Sequence, residues 1–217
     1  MAIIVFDLDG TLSDPAQGIT ASINYALENL GASSLEPHHL TQYIGPPLVE
    51  TFSELLCTKD DAVIHQAIDL YRERYLANGY AENTLYPGIL ELLKELINQQ
   101  HRLYVVTAKR TDIAQAVIDY FGLRPYFIDV LGCGLDRSKA KLLHDIQAQE
   151  NTALWMIGDR ASDMAAGRGL SRCVGVLWGY GSAEELEQAG AEVLMHRPKE
   201  LLDYFQKILI VDQAIEH

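Results

Sequence analysis

Ile3-Ile4-Val5-Phe6-Asp7-Leu8-Asp9-Gly10-Thr11-Leu12 decides the fold. An uninterrupted apolar run this short suits a strand buried on both faces of a parallel sheet, and the acids that end it mark the sheet's edge. Working outward, four further runs share the form. Leu103 to Val106 ends at Thr107, and Phe127 to Leu131 runs into Gly132. Ala153 to Ile157 ends at Gly158-Asp159, and Val174 to Trp178 ends at Gly179. Helical spacing fills the intervals. Between Gly88 and Gln100, Ile89, Leu92, Leu93, Leu96 and Ile97 make one apolar stripe behind Pro87, a residue suited to a first turn. Asp112 to Phe121, Ser138 to Ile146 and Glu184 to Gln188 are further helix candidates. Strand and helix in alternation predict an α/β fold, a doubly wound parallel-sheet core of Rossmann-like type.

One stretch breaks the rhythm. From Asp14 to about Leu85 no convincing strand is found, only helical patterns over Gly18 to Leu30, Pro47 to Leu56 and Asp60 to Asn78. A helical insert directly after the first strand reads as a second small domain. The expected division is a core of residues 1–14 and 86–217 and a helical cap of residues 15–85, hinged at Ser13–Pro15 and Thr84–Gly88.

Composition narrows the function classes. The 217 residues carry 17 Lys and Arg against 30 Asp and Glu, a formal charge of −13. Nucleic acid or an anionic membrane needs a positive surface, so neither is expected as a partner. No apolar run approaches the length of a membrane span, and the amino terminus is too quickly acidic for a signal peptide, so a cytoplasmic protein is expected. Cys57, Cys133 and Cys173 form no CxxC pair, which argues against a disulfide scaffold or zinc knuckle; they read as buried or incidental. Monomer and homodimer both stay open.

Ligands of open parallel sheets bind beyond the carboxyl ends of the strands. Asp7, Thr107 and Asp159 each end an expected strand, Asp9 and Asp163 follow within a few residues, and Lys139 opens a helix. Four crowded carboxylates must protonate or share a cation. Oxygen ligands without His or Cys favour Mg²⁺, which also takes a phosphate oxygen. With the Thr107 hydroxyl and the Lys139 ammonium as an anion cradle, the set points to phosphoryl transfer.

These residues resemble the haloacid dehalogenase-like (HAD) superfamily. Asp7-Leu8-Asp9-Gly10-Thr11 matches its DxDGT motif, Thr107 its second motif, Lys139 its third, and Gly158-Asp159-Arg160-Ala161-Ser162-Asp163 its fourth, in the family's order and with an insert where its caps lie. The resemblance implies that Asp7 is the nucleophile forming an aspartyl-phosphate and Asp9 the general acid and base. It implies Mg²⁺ ligands in Asp7, the backbone carbonyl of Asp9, Asp159 and Asp163, the last directly or through water. It implies phosphate binding by Thr107, the Ala108 backbone N–H and Lys139.

Position nine separates the branches. Dehalogenases and phosphonoacetaldehyde hydrolases of the superfamily lack the second Asp. β-Phosphoglucomutase-like members carry a cap His where this chain has Ile19. Phosphomonoester hydrolysis remains. Tyr43-Ile44-Gly45-Pro46-Pro47-Leu48, Tyr71-Arg72-Glu73-Arg74-Tyr75 and Tyr86-Pro87-Gly88 resemble the phosphoglycolate phosphatase-like branch and also 5′-nucleotidases of the same cap type. A small phosphorylated metabolite is the implied substrate. Gly45 and Pro46 could form a stiff loop that enters the site, or simply join two helices. Arg72 and Arg74 could hold a substrate carboxylate or a second phosphate, or be solvated helix charges or partners of Glu73. The chain reads Thr107-Ala108-Lys109 where relatives often carry Asn after the Thr, and Lys109 could reach the leaving group. A phospho-receiver module shares the acid, hydroxyl and Lys chemistry but has another motif order and no cap.

Overall fold

The computed structural model describes residues 1–134, 137–150 and 152–215. It divides into two compact units, Met1–Leu12 with Leu85–His217, and Ser13–Thr84. The opening apolar run is strand β1 (Ile3–Phe6), buried on both faces.

The inserted unit comprises β2 (Ser13–Asp14), α1 (Ala16–Asn29), α2 (Pro37–Leu40), α3 (Leu48–Leu55) and α4 (Asp61–Arg74). Asp14 accepts from the Ala16 N–H at 2.9 Å and so helps α1 begin. Asp60 starts α4, its carboxylate accepting from the Ala62 and Val63 N–H groups. The apolar stripes Ile19, Ile23, Ala26, Leu27 of α1 and Ile64, Ala67, Ile68, Tyr71 of α4 are buried. α4 then widens into a π turn over Tyr75–Gly79, where the Tyr80 N–H reaches the Tyr75 carbonyl at 3.0 Å. Here two glycines bring backbones together: a Cβ on Gly18 would lie 2.0 Å from the Gly79 carbonyl oxygen. Strand β3 (Thr84–Leu85) pairs with β2. The stretch read as free of strands therefore carries one at each end. Two residues apiece are too few to display a period of two.

The larger unit continues with α5 (Ile89–Asn98), β4 (Arg102–Thr107), α6 (Thr111–Tyr120), β5 (Asp129–Gly132), α7 (Lys139–Glu150), β6 (Leu154–Gly158), α8 (Ala161–Gly167), β7 (Arg172–Val176), α9 (Ala183–Ala189), β8 (Val193–Met195) and α10 (Pro198–Ile215). Six strands form a parallel sheet in the order β5-β4-β1-β6-β7-β8. Alternate residues face opposite layers. Ile3, Val5, Tyr104, Val106, Leu154, Met156 and Cys173 join α7, α8 and α9 in one buried cluster. On the other face Trp155 meets Phe205 of α10 edge-on, ring centroids 5.3 Å apart. This is the α/β architecture expected from the alternation.

Two expected strands shift. β5 begins at Asp129 because Arg124–Tyr126 winds into a 3₁₀ turn before it. β7 covers Arg172–Val176, in register with β6 through Arg172 and Trp155, so Trp178 stands in the loop beyond. Among the described residues, no helix is long and apolar enough to cross a membrane.

Candidate active site

β1 lies between β4 and β6, so their carboxyl ends present Asp7, Thr107 and Asp159 side by side. The Asp7 N–H extends the β1–β6 ladder by one bond, to the Ile157 carbonyl at 2.9 Å. Gly10 then turns the chain at φ +84°, a region that favours glycine, and a Cβ there would fall 2.2 Å from Asp159 Oδ2. Lys139 is the first residue of α7, and Asp163 lies in the first turn of α8.

Asp7, Asp159 and Asp163 each offer a carboxylate oxygen within 4.8 Å of the others. Asp159 and Asp163 are fully buried, and Asp7 and Lys139 nearly so. Lys139 Nζ donates to Asp7 Oδ1 at 2.8 Å and also to Asp163 Oδ1. Asp163 Oδ2 accepts from the Arg160 N–H at 3.1 Å. Asp159 is held from both sides, by the Thr11 hydroxyl on Oδ1 at 3.2 Å and the Tyr180 N–H on Oδ2 at 2.8 Å. Next to this cluster Asp9 pairs through Oδ2 with Lys109 Nζ at 2.7 Å.

Burial sets the electrostatics. It pushes the Asp159 carboxyl up to about 8, with the Asp7 and Asp163 charges adding. Asp163 rises to about 6 from burial, against the pull of Lys139. Asp9 is also raised by burial, with Lys109 opposing. Burial alone would discharge Lys139, but Asp163 and Asp7 more than offset it and hold the ammonium charged. Three buried acids thus cluster around one lysine, which is bonded to two of them.

The sequence-predicted residues Asp7, Asp9, Thr107, Lys139, Asp159 and Asp163 thus gather at the strand ends, with Ala108 exposed beside Thr107. Lys109 joins them by its contact with Asp9. Gly45, Pro46, Arg72 and Arg74 belong to the inserted unit. Neither arginine partners Glu73. Arg74 grips Glu82 with two bonds of 2.8 and 3.0 Å and touches Ser22 Oγ at 3.2 Å, while Arg72 faces Asp69 at 3.9 Å. Glu73 instead accepts from the Tyr25 hydroxyl at 3.3 Å. Of the cysteines, Cys173 is buried, Cys133 half-buried and Cys57 exposed.

A contribution missed in sequence comes from the loop after β7. Trp178 Nε1 donates to the Thr11 carbonyl at 3.0 Å. A Cβ on Gly179 would lie 2.3 Å from the Gly10 carbonyl oxygen and 2.4 Å from Asp159 Cβ, and one on Gly181 would lie 1.9 Å from the Asp159 carbonyl oxygen. The available signal was the pair of glycines flanking Tyr180 after an expected strand.

A family model of haloacid dehalogenase-like hydrolases matches residues 4–173. The chain is similar to a 5′-nucleotidase of Pseudomonas aeruginosa, 38% identical over 84% of this chain and 86% of the relative. It is similar to the tyrosine-protein kinase PtkA of Mycobacterium tuberculosis, 36% identical over 89% and 68% of the two chains. It is similar to a phosphoglycolate phosphatase of Aquifex aeolicus, 28% identical over 93% and 95%. Among solved structures, that of a predicted phosphatase from Clostridium acetobutylicum superposes with a TM-score of 0.86 at 33% identity, covering 94% of this chain and 98% of the other. Family model, relatives and fold agree with the motifs at the sheet edge, and the chain belongs to the haloacid dehalogenase-like hydrolase family, as a phosphatase.

Proposed function

We propose that the protein hydrolyses a small phosphomonoester through an aspartyl-phosphate on Asp7, with Mg²⁺ as cofactor. The observation that carries this reading is the buried Asp7, Asp159 and Asp163 cluster, wired to Lys139, with Asp9 alongside. The donor set fits the cation. All side-chain ligands are hard carboxylate oxygens, and burial together with the neighbouring Asp7 and Asp163 charges raises Asp159. Asp7, Asp159, Asp163 and the Asp9 backbone carbonyl would hold the ion. When bound, Mg²⁺ neutralises charge on the phosphoryl oxygens and the nucleophile.

The chain's own groups supply the rest. Lys139 donates to Asp7 and so fixes the orientation of its carboxylate. Asp7 attacks phosphorus as the ester bond breaks, and Asp9 gives its proton to the departing oxygen. Water then attacks the phosphoenzyme, Asp9 takes its proton, and Asp7 is released. The Thr107 hydroxyl, the Ala108 N–H and Lys139 bind the phosphoryl oxygens.

Phosphoglycolate and nucleoside 5′-monophosphates head the substrate panel, being the esters named in the relatives. Phosphate release, ranked by kcat/KM, separates them. Including ATP with a tyrosine peptide tests the transfer described by the mycobacterial relative's name. Asp7→Asn is expected to lower turnover on the order of 10⁴-fold or more. Mass spectrometry of quenched turnover is expected to place the phosphoryl group on Asp7. A label on another side chain, or full activity in Asp7→Asn, overturns the reading.

A further inference from the structure

We propose that Lys109 is the positioning residue for Asp9: it anchors Oδ2 and so reserves Oδ1 for the oxygen of the departing group. The inference rests on the acid–base role given to Asp9 above. Three observations support it.

Lys109 Nζ lies 2.7 Å from Asp9 Oδ2, with both side chains largely buried. Asp9 Oδ1 is buried and has no hydrogen-bond partner among the described residues. An ammonium only donates, so its contact at Oδ2 makes the two carboxyl oxygens unequal. Finally, the ammonium is presented by a pinned loop. The Lys109 N–H donates to Thr107 Oγ1 at 3.3 Å. The Lys109 carbonyl packs on Gly132, where a Cβ would fall 2.1 Å away. The Thr111 hydroxyl accepts from the Gly132 N–H at 3.0 Å and donates to its carbonyl at 3.3 Å. Lys109 is therefore fixed from β4 and β5 and acts on Asp9, whereas the expectation from sequence was a direct reach to the leaving group.

The role has a chemical signature. Proton donation matters most when the departing oxygen is most basic. A misdirected Asp9 costs little with p-nitrophenol as leaving group and much with a simple alcohol. The test is kcat/KM across a series of phosphomonoesters from p-nitrophenyl to alkyl, for the native protein, Lys109→Met, Lys109→Arg and Asp9→Asn. Lys109→Met is expected to lose about tenfold more on alkyl than on aryl esters, steepening the dependence on leaving-group basicity. Lys109→Arg, which keeps a cation on Oδ2, is expected to recover part of the alkyl activity. Should Lys109→Met be poorly folded, the Arg variant still reports: its slope must lie between those of the native protein and Asp9→Asn, steeper than the native one. Equal loss on every ester, or a rise in KM alone, would assign Lys109 to substrate binding or to plain structure and overturn the proposal. A slope unchanged in Asp9→Asn would instead remove the role of Asp9, and that of Lys109 with it.

Discussion

Asp159 shows what single residues contribute. Its carboxylate has a hydroxyl on one oxygen and an amide on the other, and the backbones of Gly10, Gly179 and Gly181 close around it at distances no methyl group could share. Gly179→Ala is expected to displace that carboxylate and lower kcat about a hundredfold, the scale of an ångström misplacement in an active site. Gly134→Ala, where a Cβ meets nothing within 4 Å, is the control expected to keep native turnover. Equal activity of the two variants would show that the loop after β7 does not set the acid's position. The catalytic set was legible because its members sit in two continuous stretches, Asp7 to Thr11 and Gly158 to Asp163, with Thr107 and Lys139 at element boundaries. The Trp178–Gly181 loop was not, since its bond to Thr11 spans 167 residues and the two glycines flanking Tyr180 do not by themselves say what they approach. The partner of Lys109 was equally hidden, because no spacing rule relates position 109 to position 9.

Among elements, α1 meets the π turn closely at Gly18, and that contact sets two magnitudes against each other. Replacing Gly18 with Ala gains up to about 1 kcal/mol in helix propensity. It also drives a methyl to 2.0 Å from a backbone carbonyl, and overpacking of that kind costs about 1–3 kcal/mol. The clash is expected to win, so Gly18→Ala should melt at a lower temperature than the native protein. A higher melting temperature would show that the contact yields. The elements read correctly from sequence are those with long apolar periods, such as α5 and α7, or dense apolar runs, such as β1, β4 and β6. α2, with four residues, and β8, with three half-buried or buried ones, are too short to show a period. α8 begins two residues after Asp159 of motif four, and its seven residues include three alanines and a terminal glycine in place of an apolar stripe. Their helical or extended state comes from packing rather than from local preference.

For the whole molecule, the buried acids couple stability to pH. In the metal-free protein Asp159 titrates near 8 and Asp163 near 6, raised by burial, against about 3.9 in an unfolded chain. Between about pH 4 and pH 8 the folded state therefore holds more protons than the unfolded one, and this part of the stability is lost as pH rises. Metal-free protein is expected to melt lower at about pH 8 than at about pH 5.5, and Mg²⁺ to raise the melting temperature more at the higher pH, where it has fewer protons to displace. A Mg²⁺ effect independent of pH would separate the ion from these carboxylates. The sheet order has a different consequence. Ile3 pairs with Arg102 on one side and Leu154 on the other. During translation, β1 leaves the ribosome long before either neighbour has been made, while α1 to α4 find their partners close by in the nascent chain. Its two ladder edges stay open until β4 and then β6 emerge, so Ile3–Phe6 waits during synthesis as an unpaired apolar segment open to a chaperone for extended peptides.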